Sequence, residues 1–231
     1  MHEIDLTYTN DCTIGTRRMT AALNVLGYLI GRKRVRSLMR EMRIRAVYCT
    51  PRTTIIDPAK YKYPYLLRGM KIEKPNQVWC TDITYIPMKK GYLYLTAIID
   101  VYSRYIIHWS ISNTMEASWV CQMVKEAIAK HGKPEIINSD QGSQYTSDEY
   151  IKLLKENGIR ISMDGKGRAL DNIYIERFWR TIKYDKIYLN LAENGSELRE
   201  MVDEFIYYYN NQRNHQSLGY IPPRRCYLNA A

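Results

Sequence analysis

The sequence has no long apolar run. No stretch approaches the roughly 18 apolar residues that a membrane-spanning helix requires. The first residues, MHEIDLTYTN, are polar and acidic, whereas a secretory signal begins with basic residues followed by an apolar segment. These two absences argue against a membrane protein and a secreted protein, and they predict a cytoplasmic protein with no membrane partner.

Cysteine and histidine are scarce and dispersed. The five cysteines, at positions 12, 49, 80, 121 and 226, are odd in number and include no CxxC pair. This pattern disfavours both a disulfide framework and a zinc finger. The four histidines, at positions 2, 108, 131 and 215, are too scattered to suggest a metal cluster. A reducing compartment is the natural setting for such a chain.

Positive charge is unevenly distributed. The chain has 231 residues, 45% of them hydrophobic, which is enough for a real core, and its net charge is +10. Residues 1–75 contain 15 Lys and Arg against 6 Asp and Glu, whereas residues 76–231 contain 19 against 18. A basic first third on a nearly neutral body predicts a polyanion-binding element, with nucleic acid as the first candidate partner.

The basic third contains two short helical patterns. Apolar residues at helical spacing run from Thr16 to Leu26 and stop at Gly27, and a second pattern runs from about Arg32 to Met42. Two helices separated by GYLIG resemble a helix-turn-helix unit. Seven of the fourteen residues from 32 to 45 are basic, which favours DNA contact over a merely solvated face. The candidate DNA-binding residues here are Arg17, Arg18, Arg32, Lys33, Arg34, Arg36 and Arg40.

The remaining two thirds predict an α/β fold. Three consecutive strand patterns, VWCTDITYIP, YLYLTAIIDVYSR and YIIHWSIS, are followed by alternating helices and strands and then by two helices near 171–189 and 196–212. The order βββαβαβαα indicates a mixed five-stranded sheet flanked by helices. The predicted organisation is a helix-turn-helix-like segment over 14–50, a linker over 51–75 and a catalytic core with its C-terminal helices and tail over 76–231.

Three carboxylates fall in different elements of that core. Asp82 interrupts an apolar strand, where its desolvation would be costly without a partner or a metal, and Asp140 ends the strand EIINSD just before Gly142. Glu176 lies on the polar side of an amphipathic helix. Asp82 and Asp140 are separated by 57 residues, and Asp140 and Glu176 by 35. Convergence of the three would create a site for Mg²⁺ or Mn²⁺, the hard cations used in phosphoryl transfer.

Each carboxylate also has a simpler interpretation. Asp82 could be satisfied by a neighbouring hydroxyl or an arginine, Asp140 could bond its own backbone in a turn, and Glu176 could pair with Arg180. Arg180 and Lys183 lie one and two helical turns beyond Glu176, where both could follow DNA phosphates into the site.

Two other acids have structural interpretations. Asp171 is placed to cap the helix that carries Glu176, and Asp100 is expected to pair with Arg104 at a strand end.

The sequence motifs around the three carboxylates resemble those of a known family. WCTDITYI, NSDQGSQYTS and DNIYIERFWRTIKYDKIY are similar to the motifs of retroviral-integrase-like DDE transposases, specifically those of the bacterial insertion-sequence-three family, second-reading-frame product. The basic segment beginning GTRR and the ending YYNNQRNHQSLGYIPP resemble the same family, so that the likeness covers about residues 14 to 227.

The resemblance implies an RNase H-like core and a polynucleotidyl transferase activity. Asp82, Asp140 and Glu176 would be the catalytic and metal-binding residues, with two Mg²⁺ or Mn²⁺ ions, and Lys183 would contact the terminal DNA. Water would cut the element's ends, and the freed 3′-hydroxyl would attack another phosphodiester. The implied partners are the insertion-sequence ends, target DNA, the upstream reading-frame product and further copies of the chain on DNA.

Family members of this kind usually have several tens more residues before GTRR. The sequence therefore also raises the hypothesis of a truncated copy, which would be a DNA-binding relic or a repressor of a full-length transposase. Asn138, just before the SDQG motif, stands where a histidine is common in the family. This difference removes none of the three expected metal ligands.

Overall fold

The chain forms two compact units. The computed structural model describes residues 1–48, 63–165 and 172–229. The first unit is Met1–Pro58 and the second is Ala59–Ala231. Each unit has its own buried core.

The N-terminal unit consists of three helices. These are α1 (His2–Asn10), α2 (Thr16–Val25) and α3 (Arg32–Glu41). Its core contains apolar residues from all three helices and from the loop before α2, namely Ile4, Ile14, Met19, Leu23, Val35 and Met39. The chain turns after α2 at Gly27, whose φ of 87° is readily adopted only by glycine. The two predicted helices are confirmed in this unit.

Helix α1 was not predicted from the sequence. Its residues are mostly polar, and only Ile4 is buried. Because one buried residue gives almost no apolar periodicity, a helix of this kind is invisible to a pattern search. Tertiary packing of Ile4 against α2 and α3 holds it in place.

The second unit is built on a mixed five-stranded sheet, as the sequence predicts. The strands are β1 (Val78–Pro87), β2 (Tyr92–Asp100), β3 (Ile106–Ser112), β4 (Ile136–Ser139) and β5 (Arg160–Met163). Their order in the sheet is β3-β2-β1-β4-β5. β1 pairs with β2 and β2 with β3 in antiparallel fashion, whereas β1 with β4 and β4 with β5 are parallel.

Helices cover both faces of the sheet. The helices are α4 (Ala117–His131), α5 (Asp148–Glu156), α6 (Ile173–Ile182), α7 (Gly195–Asn211) and α8 (Pro223–Asn229). One core cluster joins α4 and α5 to the face of the sheet that includes Trp79 and Ile137. The other joins α6 and α7 to the opposite face, which includes Cys80 and Ile136. Helix α6 continues directly into a π-helical turn, Lys183–Ile187.

The predicted pairing of Asp100 with Arg104 is wrong. The Asp100 carboxylate instead accepts hydrogen bonds from the Ser103 backbone N–H (2.8 Å), the Ser103 hydroxyl (2.6 Å) and the Asn76 N–H (2.8 Å). The tight turn at Ser103 brings local donors to the carboxylate first. The Arg104 guanidinium lies over the Tyr174 ring, 4.1 Å from its centroid.

Some predicted features lie outside the described residues. These are the cap at Asp171 and positions 51–62 of the predicted linker. Within the described part of that linker, Leu66 N–H donates to the Ser162 hydroxyl at 3.0 Å, so this stretch contacts the sheet edge at β5. The domain bounds 14–50, 51–75 and 76–231 stay predictions.

Candidate active site

Strand β1 places Asp82 at the centre of the sheet. Residues alternate between the two faces of a strand, so Asp82 shares a face with Cys80 and Thr84 and points toward the α6 side. Its side chain is half-buried between apolar neighbours. A carboxylate in this position needs hydrogen bonds or a cation to offset its lost hydration.

Parallel pairing brings Asp140 to the same end of the sheet. Cys80 on β1 is registered with Asn138 on β4. Asp82 and Asp140 each follow this registered pair by two residues. Asp140 comes directly after the end of β4, and Asp82 lies at the same level within the longer strand β1. The sequence prediction of a central first strand beside the fourth strand is confirmed.

Asp140 begins a tight turn. Its Oδ1 accepts the Gly142 N–H at 2.9 Å, which is the turn bond that the simpler interpretation expected. A Cβ at Gly142 would lie 2.9 Å from Asp140 Oδ1 and 2.7 Å from Gln144 Nε2. The carboxylate therefore folds over a backbone position that has room only for glycine.

Helix α6 crosses β1 and connects to Asp82 through Trp179. The Trp179 Nε1–H donates to Asp82 Oδ2 at 2.9 Å. Neither a hydroxyl nor an arginine takes this place, so the simpler interpretation of Asp82 is wrong. Glu176 lies three residues earlier on the same helix and is exposed.

A second contact between α6 and β1 involves Lys183. Its Nζ donates to Thr84 Oγ1 at 2.6 Å. Residues four apart on a helix and two apart on a strand both advance by about 6 Å, so Trp179–Asp82 and Lys183–Thr84 form matching rungs. These rungs fix the position of α6 along β1 and with it the position of Glu176.

Arg180 does not form the alternative ion pair with Glu176 among the described residues. Its guanidinium lies 5.8 Å from the centroid of the Tyr184 ring, one turn further along. Glu176 is thus left facing solvent at the edge of the candidate site.

The electrostatics couple the three carboxylates. Burial raises the pKa of Asp82 to about 6; the Trp179 hydrogen bond opposes that rise, and the charges of Asp140 and Glu176 add to it. Burial also raises the pKa of Asp140, against the Gly142 hydrogen bond. Burial lowers the pKa of Lys183, while the charge of Asp82 opposes that change. All three acids therefore contribute to one negative centre.

The donor set suits a hard divalent cation. Asp82 within β1, Asp140 directly after β4 and Glu176 on the crossing helix α6 are oxygen donors of the kind that Mg²⁺ and Mn²⁺ prefer, and the two aspartates are partly withdrawn from water. No three His, Cys, Asp or Glu side chains of the described ranges are already arranged around a metal position. Asp82 Oδ2 and Asp140 Oδ1 accept hydrogen bonds from Trp179 and Gly142, which leaves further acceptor positions on both carboxylates for a cation.

The predicted DNA-binding residues of the first unit are at its surface. All seven are exposed: Arg17, Arg18, Arg32, Lys33, Arg34, Arg36 and Arg40. Arg18 differs from the others because its guanidinium is ion-paired with Asp11 at 2.5 Å. Arg43 and Arg45, which were not among the candidates, line a groove with Arg36 and Arg40. Their place in the same run of basic residues was the signal that could have identified them.

Comparison with known proteins places this geometry in a family. Two models described as integrase core domains match residues 72–169 and 157–223, and a model described as an HTH-like domain matches residues 1–52. The transposase for insertion sequence element IS904 of Lactococcus lactis is 35% identical over 226 residues, covering 91% of this chain and 85% of that protein. The chain belongs to the transposases of the insertion-sequence-three family.

A second relative agrees with this assignment. Transposase InsF for insertion sequence IS3A of Escherichia coli is 30% identical over 225 residues, covering 91% of this chain and 75% of that protein. In general terms the function of this transposase is DNA transposition, and its first unit is a helix-turn-helix-like domain.

Solved structures support the fold of the transposase. The HTLV-2 integrase catalytic core domain in complex with magnesium has a TM-score of 0.55 at 22% identity and covers 67% of this chain and 97% of its own. A chain of the simian T-cell lymphotropic virus intasome in complex with PP2A regulatory subunit B56 gamma has a TM-score of 0.59 at 16% identity and covers 98% of this chain and 74% of its own. No helix of the described ranges is long and apolar enough to cross a membrane.

Proposed function

We propose that this transposase cleaves and joins DNA strands at the ends of an insertion sequence, using two Mg²⁺ or Mn²⁺ ions held by Asp82, Asp140 and Glu176. The observation that carries the proposal is the position of Asp82, which lies within β1 beside the strand that leads to Asp140 and is bonded to the helix that bears Glu176, so that the charges of both other acids raise its pKa. Two aspartates from neighbouring strands and a glutamate from a crossing helix can approach two cations from different directions.

Each residue has a distinct task in the proposed reaction. Asp82 from β1, Asp140 from the turn after β4 and Glu176 from α6 would hold the cations. Trp179 orients Asp82, as hydrogen-bond partners of metal ligands commonly do. The bound ions would lower the pKa of an attacking hydroxyl and stabilise charge on the leaving oxygen.

The reaction balances without a covalent protein intermediate. The oxygen of water, or of a DNA 3′-hydroxyl, forms a bond to phosphorus while the bond from phosphorus to the leaving 3′-oxygen breaks. The proton of the attacking hydroxyl passes to solvent, and the leaving oxygen acquires one. Cleavage and strand transfer therefore use the same site with different nucleophiles.

Basic residues outside the carboxylate set would hold the DNA. Lys183 and Arg180 lie beyond Glu176 on α6, and the exposed arginines and Lys33 of the first unit supply phosphate contacts. Insertion-sequence ends and target DNA are the proposed substrates. The upstream reading-frame product and further copies of the chain on DNA are the proposed partners.

A strand-transfer assay tests the proposal. Purified full-length chain is incubated with an end-labelled duplex that carries the element's ends, in Mg²⁺, in Mn²⁺ and in chelator. Cleaved and joined products are expected only with a cation, and Asp82→Asn should abolish them. The matched control is Asp203→Asn, which removes an exposed carboxylate on α7. Products in chelator, or equal yields from Asp82→Asn, would contradict the mechanism, and DNA binding with no product from the parent chain would identify a non-catalytic relic.

A further inference from the structure

A small basic cleft of the second unit is lined by residues of four segments. Arg104 comes from the β2–β3 turn, Tyr209 from α7 and His215 from the segment after α7, and α6 supplies Tyr174, Arg177, Phe178 and Thr181. Its volume is about 30 Å³, which is room for roughly two water-sized groups. None of the three candidate carboxylates lines the cleft, although Arg177 directly follows Glu176 in sequence.

The Tyr209 hydroxyl is the first indication of a ligand. Tyr209 is only 4% exposed, yet its hydroxyl makes no hydrogen bond within the described ranges. The rings of Phe178 and Phe205 pack around the phenol. A hydroxyl that opens into a cleft without a partner is expected to bind something that enters the cleft.

Two unneutralised arginines are the second indication. Arg104 and Arg177 form no ion pair with a described carboxylate, whereas the nearby Arg213 is paired with Asp185 at 2.8 Å. Arg104 has a φ of 63°, a left-handed conformation that is uncommon for a non-glycine residue. Such strain persists where the surroundings over-determine it, and here the guanidinium is held flat over Tyr174 beside the cleft.

The pKa of His215 reflects the positive charge around the cleft. Burial lowers its pKa, and Arg104, Arg213 and Arg177 lower it further. Its Nδ1 is occupied by the Ser217 hydroxyl at 3.0 Å, which leaves Nε2 for a ligand. A neutral imidazole among guanidinium groups is the arrangement expected of an anion site in its unliganded form.

We propose that this cleft binds a backbone phosphate of DNA, with two non-bridging oxygens entering between Arg104, Arg177 and the Tyr209 hydroxyl. Phosphate oxygens match the available room, the two guanidinium forks and the unpartnered donor. A phosphodiester of DNA is favoured over free phosphate because a row of basic side chains, on α6 and at the residue directly after it, leads from the carboxylates to the cleft.

That row consists of Lys183, Arg180 and Arg177. Residues three apart on an α-helix are neighbours, and the row advances about 9 Å from Arg177 to Lys183. Arg177 and Arg180 are exposed, and Lys183 is half-buried against Thr84. DNA that is bound at the carboxylates, as the proposed function requires, would pass these cations and reach the cleft.

Nuclear magnetic resonance of His215 tests the site without any chemistry. The pKa of His215 is measured in full-length chain in chelator, alone, with a short DNA duplex and with inorganic phosphate; His215→Gln assigns the signal. DNA is expected to raise the pKa by about 0.5–1 because a bound anion offsets the guanidinium charges. Arg177→Gln should remove the rise. An unchanged pKa with DNA overturns the proposal, and a rise with phosphate alone overturns the choice of DNA.

Binding measurements supply an independent readout. Arg177→Gln should weaken DNA binding about tenfold and reduce the slope of log affinity against log salt by about 1. Arg199→Gln removes the same charge from an exposed position of α7 outside the cleft and should do neither. Equal effects of the two variants would show a general charge effect and overturn the proposal.

Tyr209→Phe separates binding from folding. Because the hydroxyl has no described partner, its removal should leave the melting temperature unchanged or raise it, while DNA binding weakens about threefold. A large fall in melting temperature with unaltered DNA binding would assign the hydroxyl a structural role instead. All of these measurements omit the divalent metal, so they succeed or fail independently of the proposed strand transfer.

Discussion

The indole N–H of Trp179 donates to the carboxylate of Asp82 across the interface between α6 and β1, at 2.9 Å. This bond joins the most buried carboxylate of the candidate site to the helix that carries Glu176. Any change at Trp179 therefore acts on two of the three carboxylates.

Trp179→Phe should weaken metal binding while leaving the fold intact. The phenyl ring retains the packing but not the donor, so Asp82 loses its orientation and its pKa rises. We expect a loss of about 1 kcal/mol in unfolding free energy and about tenfold in Mn²⁺ affinity, measured by calorimetry. Trp119→Phe is the matched control, because it loses one indole bond, to the Ser110 hydroxyl, on the far side of the sheet. Equal Mn²⁺ affinities in the two variants would contradict the positioning role.

Gly142→Ala should displace Asp140. The added Cβ would lie 2.9 Å from Asp140 Oδ1, so the carboxylate must move, whereas Gln144 can swing away. We expect strand cleavage to fall at least about tenfold with a stability change below about 1 kcal/mol. In Gly31→Ala the new Cβ meets nothing within 4 Å, and Mn²⁺ affinity should be unchanged. Full cleavage by Gly142→Ala would show that the turn does not set the position of Asp140.

Asp82→Asn should stabilise the metal-free protein at high pH. The folded-state pKa of Asp82, about 6, lies above its ordinary value, so the folded state binds this proton more tightly than the unfolded state. Stability from this group is present below the ordinary pKa of about 4 and is lost as the pH rises through about 6. The variant should exceed the parent by about 2 kcal/mol near pH 8 and by about half as much near pH 5, which lies inside that window.

Thermal melts in chelator at both pH values measure the difference in stability between Asp82→Asn and the parent chain. Added Mn²⁺ should reduce this difference at high pH, because the cation stabilises only the parent. A pH-independent difference would exclude ionisation of Asp82 as its cause.

Arg36→Gln should weaken DNA binding more than Arg18→Gln. Both arginines are exposed, but Arg18 is paired with Asp11, and Arg36 lines a groove with other arginines. The Arg36 variant should lower the slope of log affinity against log salt by about 1. Fluorescence anisotropy with a labelled duplex compares the two variants directly. A larger effect at Arg18 would contradict the choice of this groove as the DNA contact.

Local patterns were sufficient to predict the strands and most helices of this chain. β1 and β4 are largely apolar runs, with Asp82 within the first and Asp140 directly after the second, and α4 ends as expected at Gly132, whose φ is 77°. These features lie within a few residues of each other in sequence, where periodicity and turn chemistry decide the structure.

Long-range and very short features escaped prediction. The Trp179–Asp82 bond joins residues 97 positions apart, and no spacing rule selects that tryptophan. Helix α8 is only seven residues long, although Pro223 at its first position was a usable start signal. The π-helical turn at Lys183 depends on packing that a sequence pattern does not contain.

The parallel pairing of β1 with β4 also determines when this chain acquires its chemistry. Asp82 and Asp140 are separated by 57 residues, which include the strands β2, β3 and β4 and the crossover helix α4, and Glu176 follows after 35 more. No hairpin or single helix of the nascent chain contains two of the three carboxylates. A ribosome-bound transposase would therefore be inert toward DNA until the sheet has closed and α6 has emerged, which ties the proposed nuclease to the completed fold.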